Sequence, residues 1–270
     1  MRKSSLLILL SLLTLLPLHA QKISVLGDSY STFYLCTQPD TNDIWYYPIK
    51  HPKHKRNDVT AKEQCWWALL IEMLNKNNTP ATAPGQANTS TATASGQTNT
   101  STATASLERL NAYSGSTICY SGYAKDKSAP RVPLEGYTEM CDYSLRSFVN
   151  RTNNLGNPDI ILVCGGTNDS WAGAPIGDYV FGNWTHLQLY TFRPAMAKML
   201  YDLKLNYPTA RILFMLNNKL KDEINESVHT ICQHYAIECL DLKDIDKQSN
   251  HPSQKGMQQI AQQVYDALKQ

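Results

Sequence analysis

Four short polar clusters along the chain hold between them the groups that an acyl transfer needs. Gly27-Asp28-Ser29-Tyr30-Ser31 offers a hydroxyl, Asn111-Ala112-Tyr113-Ser114-Gly115-Ser116 a glycine-bearing turn, Gly165-Gly166-Thr167-Asn168-Asp169 an amide, and Asn250-His251-Pro252-Ser253 an imidazole. Attack on a carbonyl calls for a hydroxyl nucleophile, an imidazole base and donors aimed at the oxyanion that develops. Each group alone has an ordinary structural role: Ser29 as a helix cap, Gly115 and Asn168 as turn residues, His251 as a surface side chain before Pro252. In the first cluster Ser31 stands where the Gly-x-Ser-x-Gly elbow has its second glycine, so an ordinary α/β-hydrolase elbow is not supported.

The elements that must position these clusters alternate between strand and helix. Lys22 to Leu26 (KISVL), Asp159 to Cys164 (DIILVC) and Ala210 to Leu216 (ARILFML) are short apolar runs of the kind that strands covered on both faces require. Leu107 to Tyr113 and Ile237 to Leu242 complete a set of five expected strands. Thr60-Ala-Lys-Glu63 has the form of a capping box and precedes Trp66, Trp67, Leu69, Leu70, Met73 and Leu74 on one helical face. Further helices are predicted over Leu189 to Leu205 and Glu223 to Tyr235, and a last one has Met257, Ile260, Ala261, Val264 and Leu268 on its inner face. This alternation predicts an α/β fold, a mostly parallel five-stranded sheet with helices on both sides. Ligands in such folds sit at the carboxyl ends of the strands, which is where the four clusters fall.

With Ser29, Gly115, Asn168 and His251 in this order, the chain resembles the GDSL, or SGNH, hydrolase family, whose four blocks are named for those four residue types. The resemblance runs from Lys22 to Gln270 apart from one insert. It implies a flavodoxin-like three-layer α/β/α sandwich, and an esterase acting on small acyl groups, often acetyl groups on sugars. It implies Ser29 as nucleophile and His251 as the base that later protonates the leaving alcohol. The backbone N–H groups of Ser29 and Gly115 and the side-chain amide of Asn168 would then form the oxyanion hole.

The match departs at one position. The family usually has Asp three residues before its His, and Gln248 stands there; the nearest upstream carboxylates are Asp246, Asp244 and Asp241. The third residue fixes the imidazole tautomer and stabilises the imidazolium, and in a serine protease an Asp-to-amide change there cost roughly ten-thousandfold. Three readings stay open: Asp246 reaches the imidazole, Gln248 or nothing helps a Ser–His pair, or the site is inactive.

Long aromatic loops flank these clusters. The connection from Tyr30 to Thr60 contains Trp45-Tyr46-Tyr47, and the one after Asp169 contains Trp171, Tyr179, Phe181 and Trp184. Trp45, Trp171 and Trp184 are candidates for the wall of a sugar-binding pocket; packing of the loops onto the domain is the competing role. His51 and His54 have no Cys, Asp or Glu alongside, and His229 and His234 do not share a helical face, so no metal site is predicted. No nucleotide-binding glycine motif is present, and no cofactor is expected.

Two segments stand outside the fold. Met1 to Ala20 opens with Arg2 and Lys3, continues with an aliphatic run and ends Leu18-His19-Ala20, the pattern of a secretory signal peptide cleaved after Ala20. The protein is therefore expected to be exported, periplasmic or extracellular, with no membrane span after cleavage. Asn77 to Ser106 has no charged, large aliphatic or aromatic residue and carries two nearly identical 11-residue Thr/Ser/Ala units starting at Gly85 and Gly96. It has nothing to bury and is predicted to be a flexible surface insert. One domain spanning 21–270 is expected.

Composition narrows the class further. The 270 residues carry 25 Lys+Arg against 23 Asp+Glu, a net charge of +2, and removal of Arg2 and Lys3 with the leader brings the remainder to zero. Such a balance argues against a nucleic-acid partner. The seven cysteines all follow the leader, and their odd number leaves at least one unpaired. The sequence thus predicts a secreted serine esterase hydrolysing short-chain, chiefly acetyl, O-esters on a carbohydrate or small molecule. Two alternatives remain: a catalytically impaired glycan-binding module on the same fold, and a lysophospholipase, which needs an apolar groove.

Overall fold

The computed structural model describes residues 21–55, 57–78, 104–122 and 145–270. The expected leader and most of the Thr/Ser/Ala insert lie outside the described residues. Five strands form one sheet: β1 (Lys22–Gly27), β2 (Ser106–Ala112), β3 (Ile160–Gly165), β4 (Arg211–Leu216) and β5 (Glu238–Asp241). Their order is β2-β1-β3-β4-β5 and every pairing is parallel. A small antiparallel hairpin follows, made of β6 (Lys247–Gln248) and β7 (His251–Pro252). Among the described residues the helices include α1 (Trp66–Asn78), α2 (Thr167–Ala172), α3 (Phe192–Asn206), α4 (Asp222–His234) and α5 (Gln254–Leu268).

Side chains alternate across the sheet and feed two cores. Ile23, Val25, Leu162, Leu213 and Met215 pack with α1 and α5, whereas Leu26, Ile161, Val163 and Phe214 pack with α3 and α4. β3 is buried along its whole length, which explains its unbroken apolar run. Burying an aliphatic side chain of this size contributes about 1.5–3 kcal/mol, so the two faces hold the sheet rigid beneath its loops. The three-layer α/β/α expectation holds, and the sheet is wholly parallel.

Several local details differ from the sequence expectations. Gln64, rather than Glu63, caps the start of the segment leading into α1, its Oε1 accepting from the N–H groups of Thr60 at 2.7 Å and Ala61 at 3.0 Å. α3 begins at Phe192 because Leu187–Tyr190 forms a separate 3-10 turn, and Pro194 sits in the first turn of the helix, where its missing N–H costs nothing. Ser106, grouped with the insert on composition, is the first residue of β2. The Asn75 side chain holds both the N–H and the C=O of Ala105, at 2.6 and 3.1 Å, so the two ends of the insert meet beside α1.

Candidate active site

The strand order reverses direction at β1, between β2 and β3, and this switch point is where open parallel sheets leave a crevice. Asp28 and Ser29 leave β1 there in a tight turn. Tyr30 N–H donates to Asp28 Oδ1 at 3.0 Å, Ser31 N–H to Asp28 O at 3.1 Å, and Thr32 Oγ1 to Ser29 O at 3.1 Å. Gly27 permits the turn, since a Cβ there would lie 2.5 Å from Ser31 Oγ. Gly115 lies in the loop after β2 with φ of +78°, a conformation that favours glycine, and the place of its missing side chain is open space.

His251 reaches this turn from the hairpin. Ser249 and Asn250 both have positive φ, 51° and 63°, which matches a two-residue type I′ connection between the paired Gln248 and His251. His251 Nε2 lies 2.9 Å from Ser29 Oγ, and His251 Nδ1 lies 3.1 Å from the backbone oxygen of Ser249. A carbonyl only accepts, so the proton sits on Nδ1 and the Nε2 lone pair faces the serine hydroxyl. The turn that carries the imidazole therefore also sets its tautomer.

Neither side chain considered for the third position touches the imidazole. The Asp246 carboxylate accepts from Ser253 Oγ, and Ser253 Oγ in turn caps α5 by accepting from Gly256 N–H at 3.2 Å. Gln248 Oε1 accepts from Asp58 N–H at 2.9 Å and clamps the hairpin to the long β1–α1 connection. Asn57 adds to that clamp through Pro252 O at 3.1 Å.

The electrostatics follow from burial. His251 is 6% exposed, and desolvation pulls its pKa down from 6.5 to about 4; the Ser249 carbonyl opposes this, while Lys247 and Lys55 add to it. Trp45 stacks on the imidazole with ring centroids 3.4 Å apart and an interplanar angle of 9°. Tyr30 and Trp171 meet it edge-on at 5.4 and 6.3 Å. Trp45 and Trp171 thus stand at the site. Trp184 does not join them: it packs 5.4 Å from Tyr201 on α3.

Asn168, in the first turn of α2, donates through Nδ2 to Ser116 O at 2.9 Å, which ties its amide to the residue after Gly115. Two buried ionisable side chains, Asp169 and Arg151, hold this loop. Asp169 accepts from Ile118 N–H at 2.8 Å and Cys119 N–H at 3.3 Å; burial still pushes its pKa up to about 6. Arg151 spends all five of its donors: on Arg146 O at 2.8 Å, Asn111 O and Oδ1 at 2.9 Å, and Gly27 O and Ser116 Oγ at 3.1 Å. It thereby joins the ends of β1 and β2 to the Gly115 loop. Burial pushes the Asp28 carboxyl up to about 7, with the Tyr30 N–H and the Arg151 charge acting against it. Asp169 stands inside a recognisable motif, but Arg151 carried no sequence signal.

A parallel α/β sandwich with a hydrogen-bonded serine and histidine at its switch point has the architecture of an ester hydrolase. The model of the GDSL-like lipase/acylhydrolase family matches residues 21–82 and 96–268, and the chain belongs to that family. A structure from Bacteroides uniformis ATCC 8492 that carries the name GDSL-like lipase is 43% identical, with a TM-score of 0.73, covering 93% of this chain and 96% of that one. A second of that name, from Bacteroides ovatus ATCC 8483, is also 43% identical with a TM-score of 0.73, covering 93% and 98%. A carbohydrate esterase structure shares the fold at 17% identity and a TM-score of 0.53, covering 93% of this chain and 69% of that one. Among curated proteins none matches the chain.

Proposed function

We propose that the protein is an exported serine esterase that removes short acyl groups, chiefly acetyl, from O-acylated carbohydrates. The observation that carries the reading is the 2.9 Å contact between Ser29 Oγ and an imidazole whose tautomer the Ser249 carbonyl sets. Ser29 Oγ attacks the ester carbonyl as His251 Nε2 takes its proton. The oxyanion is held by the N–H groups of Ser29 and Gly115 and by the Asn168 amide. Collapse returns the proton from Nε2 to the departing alcohol, and a water activated by the same nitrogen then cleaves the acyl-enzyme to free acid and serine. Ser29 and His251 are the catalytic pair in this reading, with a main-chain carbonyl in the place of a third side chain.

Aromatic surface supports the carbohydrate part. Trp45 and Trp171 flank the imidazole, and the β1–α1 connection adds a cavity lined by Tyr34, Asp40, Asn42, Asp43, Tyr47 and His51. Asp43 O accepts from Ser114 N–H at 2.9 Å, so this cavity adjoins the Gly115 loop. Stacking rings with polar neighbours suit a sugar better than an acyl chain. Export rests on the Met1 to Ala20 pattern, and among the described residues no helix is long and apolar enough to cross a membrane. The test is hydrolysis of acetylated sugars against a series of longer-chain esters, with Ser29→Ala as control. Acetyl esters are expected to react fastest and the variant to be inert. Equal rates in Ser29→Ala and wild type would refute the mechanism, and a preference for long chains would favour a lysophospholipase.

A further inference from the structure

At the β5 edge of the sheet, away from Ser29, α4 and β5 bring together a second set of reactive side chains. Cys239 and Asp241 are two residues apart on β5 and so share a face, and His229 reaches them from α4. His229 Nε2 stands 3.1 Å from Asp241 Oδ1, and donor atoms of His229, Cys239 and Asp241 all lie within 4.8 Å of one another. A second thiol, Cys232, three residues along α4 from His229, is buried next to Cys239.

A surface His–Asp ion pair contributes little stability and has no need of sulfur beside it. An imidazole nitrogen, a thiol and a carboxylate together form the donor set of a borderline-soft divalent cation, while magnesium and calcium favour oxygen alone. Tetrahedral zinc bonds place neighbouring ligand atoms roughly 3.3–3.7 Å apart, so the observed cluster needs only small side-chain rotations. The His229 and Asp241 side chains are 49% and 52% exposed, which leaves the position open to solvent, while Cys239 is half-buried and anchors it.

We propose that His229, Cys239 and Asp241 bind one divalent cation of the zinc class, with Cys232 supporting the Cys239 sulfur from behind. Binding replaces the Cys239 thiol proton with the metal and releases that proton to water; no redox step is involved. The ion would pin the edge strand β5 to α4. Its ligands come from two elements, so no spacing in the sequence marks the site.

The test uses full-length protein, reduced and stripped with a chelator, then titrated with Co²⁺ and competed with Zn²⁺. One equivalent is expected to give a sulfur-to-cobalt charge-transfer band, and Zn²⁺ should displace it and raise the melting temperature. Cys239→Ser should lose the band. Cys232→Ser should weaken binding on the order of 10–100-fold, as loss of a supporting group does at other metal sites. Asp241→Asn, at an exposed position, gives the same answer if the cysteine variants do not fold. An absent band, an unchanged band in Cys239→Ser, or a Cys232–Cys239 disulfide in protein taken from the exported fraction would overturn the proposal.

Discussion

The acid limb of the pH–rate profile should lie far below that of an ordinary histidine enzyme. Burial and two nearby lysines hold His251 at a pKa of about 4, about 2.5 pH units below its usual 6.5. That gap corresponds to about 3 kcal/mol favouring the neutral imidazole. In the proposed mechanism the base is therefore neutral through mildly acidic conditions, and kcat/KM for an aryl acetate should hold until pH falls toward 4. Trp45 contributes to this desolvation, because its ring covers one face of the imidazole at 3.4 Å. Trp45→Ala opens that face to water and should raise the limb by about one pH unit or more, while Lys55 and Lys247 keep it from recovering fully. Stability should follow the same proton. A lowered folded pKa gives a contribution that is complete above pH 6.5 and is lost as pH falls through 4. A titration of the His251 ring protons alongside the kinetics would separate this group from the buried Asp28 and Asp169. A wild-type limb near 6.5, or a limb unmoved in Trp45→Ala, would refute the reasoning.

Three further outcomes follow from the site. Asn168→Ala should cut kcat by on the order of 10²–10³ with little change in KM, as loss of one oxyanion donor does, measured on the same aryl acetate. Asp246→Asn should lower the urea midpoint by the equivalent of about 1–2 kcal/mol through the weakened α5 cap, and a shift in the acid limb would show instead that Asp246 acts on the imidazole. Arg151→Lys replaces five donors by three; at about 1–2 kcal/mol for each lost bond, unfolding experiments should show a loss of roughly 2–4 kcal/mol, with a fall in kcat as the Gly115 loop loosens.

β1, β3 and β4 were legible because burial on both faces leaves an almost unbroken apolar run, whereas β2 and β5 are partly exposed and carry charges. The Ser29 and Asn168 clusters follow such runs directly, but His251 stands on the hairpin beyond β5. Helix starts were less legible. Glu63 and Gln64 both suit a cap, and only the geometry selects Gln64; a 3-10 turn from Leu187 consumed residues that fit the helical period of α3. The partner of His251 Nδ1 could not be read at all, since a main-chain carbonyl is present at every position and marks none. Arg151 was hidden for a related reason: of its five contacts, four reach groups distant in sequence, and four are to backbone or hydroxyl oxygens. The tryptophans show the limit of composition. Trp45, Trp171 and Trp184 are equivalent as residue types, but only the first two stand beside the imidazole.

The hairpin at Ser249 and Asn250 gives this site an unusual mutational profile. In an enzyme with a carboxylate third member, one nucleotide change can delete the group that orients the imidazole. Here the acceptor belongs to the peptide chain, and no side-chain replacement at position 249 removes it. What inheritance must preserve is a shape, two consecutive left-handed residues between paired strands, and several sequences satisfy that. A saturation library across 248–250 should therefore tolerate Asn, Asp and Gly at the two turn positions, and lose activity with proline or β-branched residues that break the bend.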